Sequence, residues 1–104
     1  MKKMGVLLVS VVMCSMMLDA KDYVVDQVKK TFIPHEVTLH VGDYIVFKNS
    51  DPFAHNAYTD DEANEFDIGM QATGEDIRVK MKAPGSFDVE CAIHPNMLLE
   101  VTVK

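Results

Sequence analysis

Val37, Leu39 and Val41 alternate with Glu36, Thr38 and His40, and Gly42-Asp43 then interrupts the run. Ile45 and Phe47 alternate with Tyr44, Val46 and Lys48 before Asn49-Ser50-Asp51-Pro52 breaks the pattern again. Ile77, Val79 and Met81 repeat the alternation against Arg78, Lys80 and Lys82, and Ala83-Pro84-Gly85-Ser86 forms a strong turn signal. Phe87, Val89 and Cys91 then share one parity, as do Leu99, Val101 and Val103 near the end of the chain. Val24 and Val28 sit in a weaker strand signal. Side chains of a strand point to opposite faces in turn, so short period-two runs separated by turn residues predict half-buried strands. No helical period of any length accompanies them. The expectation is all-β: a single-domain antiparallel Greek-key β-sandwich. Thr59 to Thr73 lacks clean alternation and reads as a longer connection with room for one helical turn.

The first twenty residues follow a different plan. Lys2 and Lys3 precede an apolar stretch from Gly5 to Leu18, and Ala20 offers a small residue for cleavage. This is the layout of a secretory signal peptide, and its apolar run is too short to span a bilayer comfortably. The expected division is a signal peptide over 1–20 and one domain over 21–104, exported to the periplasm with no membrane span. Removing the leader takes away Cys14 and leaves Cys91 as a lone cysteine. A disulfide is then not available to a domain small enough to need a staple, so the thiol calls for another explanation. The remaining 8 Lys and Arg against 15 Asp and Glu give a net charge of −7. That balance disfavours nucleic acid and anionic membrane surfaces and favours basic partners.

The chemistry concentrates in residues 91–97, CAIHPNM. Cys91, His94 and Met97 fall in one loop at the end of a strand, with Cys91 on the parity of the core. A thiolate, two imidazoles and a weak thioether form the ligand set of a blue-copper electron-transfer site. His55, which follows the Asp51-Pro52 break, is the best source of the second imidazole. Zinc fits less well, because structural zinc sites close with further cysteine or histidine. Copper is therefore the expected cofactor, as one ion. His35 and His40 are expected to face solvent; Met70 and Met81 are expected to pack, with Met70 a distant alternative as the axial ligand.

These features resemble a cupredoxin of the plastocyanin/amicyanin type over nearly the whole of residues 21–104. Phe32-x-Pro34, Val37-x-Leu39-x-Val41-Gly42-Asp43 and Ile45-x-Phe47-x-Asn49 resemble the strand-turn-strand that leads to the first histidine ligand of that family. His55-Asn56 resembles its His-Asn pair, and Cys91-x-x-His94-x-x-Met97 resembles the short ligand loop of amicyanin. The resemblance implies His55, Cys91, His94 and Met97 as copper ligands, the backbone N–H of Asn56 as a donor to the cysteine sulfur, and His94 as the electron exit. Ile93 departs from the family, which places proline before the loop histidine. Isoleucine keeps an N–H that proline lacks, and this N–H could reach the Cys91 sulfur.

The function expected is that of a periplasmic one-electron carrier, with no catalysis and a monomeric state. Its partners would be redox proteins with a basic surface, such as a c-type cytochrome or a periplasmic dehydrogenase or oxidase. The acidic stretch Asp60-Asp61-Glu62, with Glu65 and Asp67, is either the docking patch for such a partner or a solvated loop. A copper-delivery protein, an acceptor subunit dedicated to one dehydrogenase and a metal-free β-sandwich interaction module are the competing readings.

Overall fold

In the computed structural model, which describes residues 19–104, nine strands build two facing sheets and no helix occurs among the described residues. The strands are β1 (Asp22–Val28), β2 (Thr31–Ile33), β3 (Glu36–Leu39), β4 (Tyr44–Asn49), β5 (Tyr58–Thr59), β6 (Phe66–Asp67), β7 (Asp76–Lys80), β8 (Gly85–Glu90) and β9 (Leu98–Val103). One sheet runs β2-β1-β4-β7 and the other β3-β9-β8-β5-β6. The expected sandwich is thus present, but its sheets are mixed rather than antiparallel throughout: β1 pairs with β4, and β3 with β9, in parallel. Alternation along one strand reports which face is buried and carries nothing about the direction of its neighbour. Residues 1–18 of the expected leader, Cys14 among them, lie outside the described residues.

The parity expected from the sequence is found at most positions, but Val41, grouped with Leu39, is exposed, and Val46, grouped with Tyr44 and Lys48, is buried. Leu39, Ile45, Phe47, Met81, Val89, Cys91, Leu99, Val101 and Val103 are all buried. Phe47 sits at the middle of this core, its ring 6.2 Å from that of Phe32 and 5.9 Å from that of Phe66. In β1 the inward positions are Val25 and Gln27, while Val24 is exposed. The stretch from Thr59 to Thr73 holds the short strand β6 where a helical turn was expected, because Tyr58 and Thr59 pair back onto Asp67 and Phe66. Met70, expected to pack, is 67% exposed. Met81 is buried, and the side chains of His35 and His40 face solvent as expected.

Strand directions define two ends of the sandwich. β1 and β4 run side by side toward Gln27 and Asn49, and β8 runs toward Glu90 and Cys91. The β1–β2 turn, the loop after β4 and the loop after β8 therefore meet at one end. The β7–β8 turn, Asp43 and Lys21 lie at the other end, where the N–H of Met81 donates to the carbonyl of Asp43.

Candidate metal centre

The loop after β4 is shaped by buried polar side chains. Asn49 Nδ2 donates to the carbonyls of Phe53 and Gln71, and Asn49 Oδ1 accepts the N–H of Asp51. Gln71 donates from Nε2 to the carbonyls of Phe47 and Glu75, and its Oε1 accepts from Gln27 Nε2. His55 and Gln71 exchange both backbone hydrogen bonds, at 3.0 and 2.7 Å. Buried amides with their bonds made hold a loop in one geometry, since any rearrangement would leave a polar group without a partner. The imidazole of His55 is thereby fixed and fully buried.

Asp51, almost completely buried, reaches His55 Nε2 at 2.6 Å. An ionised carboxylate only accepts, so Nε2 carries the proton and Nδ1 of His55 is left with its lone pair. The same carboxylate accepts the backbone N–H groups of Lys29 and Lys30 at 2.6 and 2.9 Å. Burial by itself raises the pKa of Asp51, but the N–H of Lys30, the imidazole of His55 and the N–H of Lys29 outweigh it, and the pKa is held below the ordinary value.

The loop after β8 brings the other groups. Cys91 continues the inward parity of Val89 and is 2% exposed; it is a free cysteine. His94 follows three residues later and is half-buried. The N–H of Met97 donates to the carbonyl of His94 at 2.9 Å, which closes the loop and returns Met97 to the buried cluster that contains Cys91. Nδ1 of His55 lies 3.1 Å from Nδ1 of His94, and Sγ of Cys91 lies 3.7 Å from that same nitrogen. All three donor atoms fall within 4.8 Å of one another. Burial lowers the pKa of His94, with smaller contributions from His55 and Lys30, while Asp51 opposes, a shift that favours the neutral form a metal requires.

These groups fit a copper ion by donor chemistry and by spacing. Metal–imidazole bonds are about 2.0 Å long, so two of them to one ion span a separation like that between the two Nδ1 atoms. One sulfur and two imidazoles, with a thioether sulfur in the adjoining core, suit both oxidation states of copper.

Asn56 joins the two loops through its side chain. Its Oδ1 accepts the N–H of Ala92 at 3.0 Å, and its Nδ2 donates to Asp67 Oδ1 and to the carbonyl of Gly69. Ile93 is exposed on the 91–97 loop. Sequence reasoning missed Asp51, Gln27 and Gln71. Asp51 had been read as a loop-breaking residue, and only its spacing of four residues before His55 hinted at the contact. Gln27 and Gln71 gave no signal, because their partners come from strands distant in the chain.

The sequence model of copper binding proteins of the plastocyanin/azurin family matches residues 20–104. Plastocyanin from Ginkgo biloba is 35% identical over 75 residues, which cover 61% of this chain and 75% of that one. Amicyanin from Paracoccus versutus superposes with a TM-score of 0.71 at 25% identity, covering 86% of this chain and 85% of that chain. A copper-containing nitrite reductase from Thermus scotoductus gives a TM-score of 0.74 at 26% identity, covering 90% of this chain. The chain spans only 25% of that reductase and 50% of the length of another relative, the minor plastocyanin isoform of Arabidopsis thaliana.

Proposed function

We propose that this chain, which belongs to the plastocyanin/azurin family of copper-binding proteins, is a one-electron carrier whose single copper is held by His55, Cys91, His94 and Met97. The observation that carries the reading is the convergence of His55 Nδ1, His94 Nδ1 and Cys91 Sγ, with the far nitrogen of His55 already committed to Asp51. Held by these residues, copper would supply a one-electron couple between Cu(II) and Cu(I).

The chain supplies the rest. Asp51 fixes the tautomer and orientation of His55, as carboxylates do for metal-bound histidines. Asn56 ties the His55 loop to the Cys91 loop, so the ligands move little relative to each other. Burial of Cys91 and Met97 keeps water from the sulfur donors. With copper bound, the backbone N–H groups of Ile93 and Asn56 would be further donors toward the Cys91 sulfur, whose polar contact in this structure is with His94 Nδ1. His94, the less buried histidine, is the exit. With protein groups at all four positions, no place is left for a substrate, and the role is transfer rather than catalysis. The leader over 1–20 directs the domain over 21–104 to the periplasm, where its donors and acceptors are other redox proteins.

A visible absorption titration with Cu(II) tests the reading. The protein should develop an intense thiolate-to-copper band that saturates at one equivalent and is missing in Cys91→Ser. A weak band that survives the substitution would overturn the assignment.

A further inference from the structure

The two clusters of like charge lie at opposite ends of the molecule. Asp60-Asp61-Glu62 leads from β5 away from the metal centre. Asn64, just beyond it, is buried against the β7–β8 turn: its Nδ2 donates to the carbonyl of Ala83, and its Oδ1 accepts the N–H groups of Lys82 and Ala83. The acidic run therefore sits at the end remote from His94.

Lys29 and Lys30 occupy the site end. They form the two-residue turn between Val28 and Thr31, with φ of 53° and 58°. That left-handed pair is what a tight hairpin turn requires and is costly for residues other than glycine and asparagine. The two N–H bonds to Asp51 hold it in place. The Lys30 ammonium stands 5.6 Å from the centre of the Phe53 ring. Phe53 in turn lies 5.6 Å from the His94 ring and is exposed, as are Met70 and Ile93 at this end. Neither lysine has a carboxylate on its ammonium among the described residues. Of the acids at this end, Asp51 is buried on His55, Asp67 bonds Asn56 and the N–H of Gly69, Asp26 bonds Ser50, Glu75 accepts the N–H of Ala72 and Asp76 pairs with Lys48, while Glu90 is exposed beside Cys91.

We infer that the Lys29–Lys30 turn and Phe53 form the docking surface beside His94, and that its occupant is a redox protein with acidic groups around its own centre. The inference rests on His94 being the exit of a copper electron carrier. It reverses the sign of partner that the overall negative charge suggests. Docking is governed by the charges nearest the contact, since fields beyond about 10 Å are screened at ordinary salt.

The test is oxidation of the copper(I)-loaded protein by hexacyanoferrate(III), one electron passing from Cu(I) to Fe(III) to leave Cu(II) and hexacyanoferrate(II). A lysine-flanked exit makes the rate with this anion fall as salt rises, whereas reaction governed by the net negative charge makes it rise. Lys29→Glu/Lys30→Glu should slow the low-salt rate by about threefold to tenfold. Lys29→Gln/Lys30→Gln, which avoids a new carboxylate beside Asp51, should slow it by less. The same lysine variants should speed oxidation by the tris(phenanthroline)cobalt(III) cation. At ordinary salt, Asp60→Asn/Asp61→Asn/Glu62→Gln should leave both rates within about twofold, because those charges lie at the far end of the molecule and are screened there. A rate that rises with salt, or a larger response to the acidic substitutions than to the lysines, would overturn the inference while leaving the copper reading intact. A protein that takes up copper without the intense band would overturn both.

Discussion

The Asp51 carboxylate and Nε2 of His55 are 2.6 Å apart and both are buried, so one hydrogen bond decides which nitrogen of His55 faces Cys91 and His94. Asp51→Asn should therefore lower copper affinity by about 10–100-fold, with the intense band retained once the site is loaded. Competition against a chelator of known affinity measures this. Unchanged affinity would show that the Asn49–Gln71 scaffold alone orients the ring.

Ile93 keeps a backbone N–H at the position where the family resemblance leads one to expect proline. An N–H directed at the Cys91 sulfur withdraws electron density from the thiolate and favours Cu(I), so the native protein should have a higher reduction potential than Ile93→Pro. Voltammetry of both proteins decides the matter, and an equal or lower native potential would remove Ile93 from the account.

Asp43 gives a pH dependence at the opposite end of the molecule. Its carboxylate accepts the N–H groups of His40 and Lys21, and chiefly these bonds lower its pKa from the ordinary 3.8 against the opposing effect of burial. A carboxylate whose pKa is lower in the folded state stabilises that state above its ordinary pKa, and the benefit disappears as pH falls through the lowered value. Asp43→Asn should be less stable than the native protein near neutrality, with the difference shrinking below about pH 4. Urea titrations of both proteins across this range would show it, and a gap that is constant with pH would contradict it.

Phe47 is fully buried between Phe32 and Phe66. Phe47→Ala should cost about 3–5 kcal/mol of stability, the transfer of the ring plus the cavity it leaves. The denaturation midpoint measures it. A loss under about 1 kcal/mol would mean that the two sheets close over the gap.

The longer strands and the inward set Leu39, Ile45, Phe47, Met81, Val89, Leu99, Val101 and Val103 were legible in the sequence, because alternation is the direct consequence of a strand with one buried face, whereas the short strands β2 and β6 offer too few residues to alternate. That Cys91 and His94 come together was legible because they share one loop, and Met97 in the same loop returns to the core beside them. His55 was reached only through its position after a break and through a family resemblance, since its meeting with His94 depends on how the sheets stack. The parallel pairings of β1 with β4 and β3 with β9 left no trace in the pattern, which is blind to strand direction. Asp51 bonds His55 four residues on and also the Lys29–Lys30 turn, which lies more than twenty residues away in the chain. The separation of the acidic run from the lysine turn was likewise decided by tertiary structure. Net charge is a sum over the chain and is indifferent to position, whereas the field at His94 depends on which charges the fold brings close.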